Sequence, residues 1–142
     1  MLGVNLELRQ FWRIFLLMAV TLFSISGFGG SPAPENKPRV VVVYADWCPL
    51  CQKLKPALAL INEKYAGKIR FVRLDVTDEK TTAASMEQAK SLGLQEFFQK
   101  NREKTSLVVI QDASGREVFR AVHDYEFQHY ANVLDQQLRA GK

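Results

Sequence analysis

Cysteine is scarce in this chain of 142 residues: Cys48 and Cys51 are the only two. Histidine is equally rare, with His123 and His129 alone. A structural zinc site takes four ligands, commonly from a second Cys or His pair. These histidines lie near the far end of the chain at a spacing that does not share one helical face. They read as ordinary surface or interface residues, and no resident metal or other cofactor is expected. No glycine-rich phosphate loop is present, so nothing marks a nucleotide site. No internal repeat is present, which argues against a solenoid. The net charge is +4, with Lys and Arg scattered among Asp and Glu. That pattern is a solvated surface and not a nucleic-acid face. Hydrophobic content of 47% and charged content of 24% are ordinary for a globular protein.

Charge is also missing from one long stretch. The segment MLGVNLELRQFWR carries Arg9 and Arg13 against one acid, Glu7, and IFLLMAVTLFSISGFGG follows without any charge. This is the layout of a signal peptide or membrane anchor over residues 1–30. The strongly apolar part, Ile14 to Ile25, falls short of the ~20 residues of a comfortable span. Small residues at Ser24, Ser26, Gly27, Gly29 and Gly30 offer a cleavage region without a clean A-x-A. Cleavage and retention both stay open. The flanking arginines place the rest of the chain beyond the cytoplasm. Residues 31–38, within GGSPAPENKPR, read as a linker, and residues 39–142 as one domain with a single core.

Within that domain the hydrophobic pattern alternates between strand and helix. RVVVVY, Arg39 to Tyr44, is a continuous β-branched run of the kind buried on both faces of a sheet. Leu54, Leu58, Ile61 and Tyr65 then recur on one helical face, and Gly67 closes that helix. KIRFVRLDV follows as a second strand. Two helical pieces are expected between Thr81 and Lys100, broken near Gly93. SLVVI and REVFRAV form a hairpin around QDASG, where Gly115 accepts a positive φ. A last helix, capped by Asp124, presents Phe127, Tyr130, Ala131, Leu134 and Leu138. The order β-α-β-α-β-β-α makes an α/β domain: a central mixed sheet with helices on both faces, parallel strands inside the strand–helix–strand units and an antiparallel edge from the hairpin.

The two cysteines sit where the first strand turns into the first helix. A disulfide over so short a loop stabilises little, because the gain grows with loop length. Redox chemistry fits better. A Cys48 thiol exposed at the mouth of the helix faces unpaired N–H groups and the positive dipole end, which lowers its pKa. Cys51, one turn further, is shielded and placed to resolve a mixed disulfide.

YADWCPLCQKLKP resembles the active-site segment of the thioredoxin family: Trp-Cys-x-x-Cys, with a proline five residues after the second cysteine, here Pro56. The element order is similar to the thioredoxin fold from about Lys37 to Ala140. The resemblance implies that Cys48 is the nucleophile and Cys51 the resolving thiol. Trp47 then flanks the site, although a core position for it stays open. Pro49 and Leu50 fill the variable dipeptide, which offers no side-chain donor to the Cys48 thiolate.

Two departures from the family stand out. The buried acid expected six residues before the first cysteine is replaced by Val42, while Arg73 holds the place of its basic companion. Asp46 is the nearest carboxylate in sequence and is expected to be exposed. The cis-proline opening the strand after NREK is replaced by Thr105, where a cis bond would cost about 2.5–4 kcal/mol. QEFFQKNREK reads as an insertion whose Phe97 and Phe98 are expected in the core, with a substrate-contacting patch as the other reading. The implied function is a thiol-disulfide oxidoreductase acting on protein dithiols and disulfides, reducing in direction. It is expected outside the cytoplasm, in the periplasm or cell envelope or on the thylakoid lumen side, and fed by a membrane electron donor or discharged by an acceptor. The N-terminal segment would hold it to the membrane if uncleaved, and no nucleic-acid partner is expected. The alternatives are a carrier binding Cu(I) or a shared cluster through the two thiols, and a redox-silent binding module.

Overall fold

A computed structural model describes residues 36–141. The signal or anchor segment expected over residues 1–30, and most of the linker over 31–38, lie outside the described residues.

The central strand is β1, Arg39–Tyr44. It pairs in parallel with β2, Arg70–Asp75, and antiparallel with β3, Leu107–Gln111. β4, Glu117–Val122, adds an antiparallel edge beyond β3, so the sheet order is β2-β1-β3-β4. The β-branched run is buried because both faces of β1 are covered. Val40, Val42 and Tyr44 pack against one layer of helices, and Val41 and Val43 against the other side.

The first layer holds α1, Pro49–Lys64, and the last helix, Phe127–Ala140. Leu54, Ala57, Ile61 and Tyr65 from the α1 segment meet Tyr130, Ala131 and Leu134 from the last helix over the sheet. Ala57 takes a buried place on this face while Leu58 is half-buried at its margin. Pro49 fills the first turn of α1, where its missing N–H costs nothing. Pro56 lies inside the helix and withholds one backbone bond without ending it. Tyr65 ties the two helices: its hydroxyl donates to the Asp135 carboxylate at 2.8 Å and lies 3.1 Å from the Ala131 carbonyl.

The opposite face is covered by α2, Glu79–Ser91, and α3, Gln95–Asn101. Asp78 and Thr81 form a reciprocal capping box at the start of α2. The break between the helices falls at Gly93, whose φ of +69° suits glycine. The parallel pairing expected of the strand–helix–strand units holds only from β1 to β2; β3, reached through α2 and α3, runs antiparallel to β1. Phe98 is fully buried with Val41, Val72, Leu74 and Ala89, and Phe97 is partly buried against the same layer. Both belong to the core, as expected.

The last helix, here α4, begins later than the sequence pattern implies. Its N-cap position is Glu126, which makes no side-chain cap bond. Asp124 instead accepts the Glu126 backbone N–H at 3.0 Å and faces His129 Nδ1 at 2.9 Å. Asp124 therefore shapes the turn before the helix instead of capping it.

Replacing Phe98 with Ala empties a closed site on the α3 side of the sheet. Urea unfolding should show a loss of about 3–5 kcal/mol. A loss below about 0.5 kcal/mol, the range of surface substitutions, would contradict its core placement.

Candidate active site

The strand β1 ends at Tyr44, and α1 begins at Pro49 after four intervening residues. Two bonds fix this corner to the loop after β2. The Asp46 backbone N–H donates to Thr77 Oγ1 at 2.9 Å, and Trp47 Nε1 donates to the Thr77 carbonyl at 3.0 Å. The Cys48 N–H turns back to the Ala45 carbonyl at 3.2 Å. Cys48 is thereby placed at the N-cap of α1 with extended backbone, and its sulfur accepts the Cys51 N–H at 3.2 Å.

A sulfur in this position takes one of the orphan donors that every helix start leaves unpaired. The same geometry corrects the expectation of an exposed nucleophile. Cys48 is only 4% exposed, because a sulfur drawn over the helix end to cap it is drawn inward. Cys51, in the first turn, is fully buried beneath it, and the two thiols are unbridged in this structure.

The thiols differ in acidity. Burial pushes the Cys48 thiol up, but hydrogen bonds from the Cys51 thiol, the Thr105 hydroxyl and the backbone N–H groups of Cys51 and Leu50 outweigh it. Its pKa falls below the ordinary thiol value. For Cys51, burial comes first, followed by donation of its own hydrogen to Cys48 and repulsion from the Cys48 charge. Backbone N–H groups of Ala45 and Ser106 offset these in part, and the pKa is pushed up to about 11. The two shifts run in opposite directions, so Cys48 is the more acidic thiol and Cys51 the less acidic.

The remaining residues picked out in the sequence surround the pair. Trp47 is 63% exposed, so it flanks the site and is not a core residue. Pro49 is exposed and Leu50 half-buried against the α1 core. Thr105 lies two residues before β3 and is among the groups that lower the Cys48 pKa. No cis peptide occurs among the described residues, in keeping with the absence of proline there. Asp46 is exposed, as expected, and accepts the Tyr44 hydroxyl at 2.8 Å. Arg73 is paired across the sheet with fully buried Val42, yet its guanidinium turns outward. It lies 3.7 Å from the Tyr44 ring centroid and 2.6 Å from Asp75. No buried carboxylate therefore underlies Cys51 at the Val42 position.

Sequence reasoning missed Thr77 and Ser106. Thr77 acts through its backbone carbonyl and a hydroxyl thirty-one residues from Asp46, which leaves no local pattern. Ser106 has φ +67°, a conformation that serine rarely adopts and that no motif announces.

In the reduced protein at neutral pH, iodoacetamide should label Cys48 well before Cys51, because the Cys48 pKa is lowered and the Cys51 pKa raised. Peptide mass spectrometry reads this directly; equal rates, or Cys51 labelling first, would contradict the arrangement.

A family model described as Thioredoxin matches residues 27–114. Among curated proteins, the chain is 46% identical over 46 residues to the chloroplastic thioredoxin-like protein HCF164 of Arabidopsis thaliana, covering 32% of this chain and 18% of that protein. It is 41% identical over 46 residues to the thiol:disulfide interchange protein TxlA homolog of Synechocystis, covering 32% of this chain and 26% of that one. The chain thus spans no more than about a quarter of these relatives. Among solved structures, a thioredoxin-family thiol:disulfide interchange protein from Chlorobium tepidum superposes with a TM-score of 0.53 at 17% identity, covering 76% of this chain and 84% of that one, and so shares the fold. Matched by the family model over more than half its length, with the two cysteines at the start of α1 in a thioredoxin-type sheet, the chain belongs to the thioredoxin family.

Proposed function

We propose that this protein is a thiol-disulfide oxidoreductase that reduces protein disulfides through Cys48 and Cys51 on the extracytoplasmic side of a membrane. The observation that carries this reading is the asymmetry of the pair. The Cys48 sulfur sits at the helix start with a lowered pKa, and Cys51 is held protonated beneath it.

The steps balance as follows. The Cys48 thiolate attacks one sulfur of a substrate disulfide, and the other sulfur leaves as a thiolate that takes up a proton. A mixed disulfide now joins Cys48 to the substrate. Cys51 then loses its proton and attacks the Cys48 sulfur. The substrate's second sulfur leaves, and a Cys48–Cys51 disulfide remains. Two electrons have passed from the dithiol to the substrate.

The first step itself prepares the second. Two of the influences raising the Cys51 pKa are its hydrogen bond to Cys48 and the Cys48 charge. Both vanish once the Cys48 sulfur is in a mixed disulfide. Burial remains, while the neighbouring backbone of Ala45 and Ser106 continues to favour the Cys51 thiolate. With Val42 where a buried acid would stand, the proton must leave without a carboxylate beneath it, and resolution is correspondingly slow.

The reducing direction is supported by the Pro49–Leu50 dipeptide, which has no side-chain donor to stabilise the thiolate further. The compartment is supported by Arg9 and Arg13 ahead of the uncharged run from Ile14. Outside the cytoplasm such a dithiol is kept reduced only if a membrane electron donor feeds it.

Reduction of insulin disulfides by dithiothreitol should be accelerated by the wild type and not by Cys48→Ser. Cys51→Ser should accumulate a mixed disulfide visible on non-reducing gels. Wild-type behaviour from Cys48→Ser would remove this reading.

A further inference from the structure

We propose that Asp75 is a positioning residue for protein substrates: acting through Thr77, its carboxylate fixes the indole of Trp47 beside the cysteine pair. The inference deepens the redox reading above and rests on it.

Asp75 closes β2, opposite Tyr44 at the end of β1. The next residue, Val76, donates its N–H to the Tyr44 carbonyl at 2.7 Å, so the chain leaves the sheet beside the corner that leads to Cys48. Asp75 is anchored there from α2. Its N–H donates to Ser85 Oγ at 2.7 Å, and the same hydroxyl donates to the Asp75 carbonyl at 2.9 Å. Ser85 itself is buried. One serine thus occupies both backbone groups of Asp75, which leaves the residue little freedom to turn.

The carboxylate is thereby aimed at Thr77. Oδ1 accepts the Thr77 N–H at 2.9 Å and the Thr77 hydroxyl at 2.5 Å, while Oδ2 accepts Arg73 Nη2 at 2.6 Å. A carboxylate only accepts, and a threonine hydroxyl has one hydrogen to give. With that hydrogen turned to Asp75, the Thr77 oxygen presents its lone pairs to the Asp46 N–H at 2.9 Å. The Thr77 carbonyl, held on the same residue, accepts Trp47 Nε1 at 3.0 Å. Burial pushes the Asp75 carboxyl up, but the bonds from Thr77 and Arg73 outweigh it, so its pKa falls below the ordinary carboxylate value and the acceptor is charged at neutral pH. One charge fixes two points of the corner through one residue.

What it fixes is an open aromatic face. Trp47, at 63%, is the most exposed large hydrophobic side chain among the described residues. A loose indole would have to be ordered each time a polypeptide lay against it, at a cost in affinity. An indole already tied to Thr77 avoids that cost. A small disulfide that reaches Cys48 without lying on the indole gains nothing from the tie.

Asp75→Ala removes the acceptor. Thr77→Val removes the hydroxyl at nearly constant shape, and Thr77→Ser keeps it. In full-length protein, exchange of the Trp47 indole N–H with water is read by NMR, with Trp12→Phe assigning the signal. It should be about three- to tenfold faster in Asp75→Ala and Thr77→Val. With dithiothreitol as donor, the KM for insulin should rise about three- to tenfold in both variants, with kcat within about twofold. The rate with hydroxyethyl disulfide should stay within about twofold, and Thr77→Ser should match wild type to about twofold throughout. If Asp75→Ala does not fold, Thr77→Val carries the same expectation. Unchanged indole exchange, an unchanged insulin KM, an equal loss toward both disulfides, or the full shift in Thr77→Ser overturns the proposal. Insulin reduction by the wild type tests the redox reading separately: unaltered exchange with that activity intact removes this inference alone.

Discussion

The bond from the Cys51 N–H to the Cys48 sulfur is the contact on which the site depends. It makes one atom both the cap of α1 and the proposed nucleophile. A helix start left uncapped costs about 1 kcal/mol. Here the capping atom can be ionised, so the helix is served best when the sulfur is charged. The rest of the fold keeps that atom in place. β1, buried on both faces, cannot slide, and its end sets the position of Ala45, whose carbonyl holds the Cys48 N–H. Thr77 pins Asp46 and Trp47 from the neighbouring loop. The sulfur has little freedom to leave its cap except by reacting.

The same contact governs the second thiol. Val42 leaves the sheet beneath Cys51 apolar, and Arg73 satisfies itself outside, against Tyr44 and Asp75. Proton control at Cys51 therefore passes from a buried carboxylate to the charge on Cys48. In the proposed reaction, the Cys48 charge holds the proton on Cys51, and capture of Cys48 releases that hold.

The fold was legible where packing demands a pattern. The β-branched run of β1, the spacing along α1 and the glycines at Gly93 and Gly115 all announce their roles, and those glycines have the positive φ that only glycine adopts freely. The cysteine pair was legible because its place at a strand-to-helix corner is local in sequence. Three things were not. The antiparallel direction of β3 is a matter of tertiary connection, which hydrophobic periodicity does not encode. The covering of Cys48 follows from where its sulfur points, and a residue pattern carries no such direction. The roles of Thr77 and Ser106 come from backbone groups, and backbone groups are the same in every residue. Asp124 was misplaced because an aspartate before a helix serves a preceding turn as readily as a cap.

Two thiols of opposite character share one helical turn. Labelling both cysteine β-carbons and following their NMR shifts with pH in the reduced protein tests that most directly. Cys48 should titrate below the ordinary thiol range and Cys51 near pH 11. Two carbons titrating together in the ordinary range, or Cys51 ionising first, would contradict it.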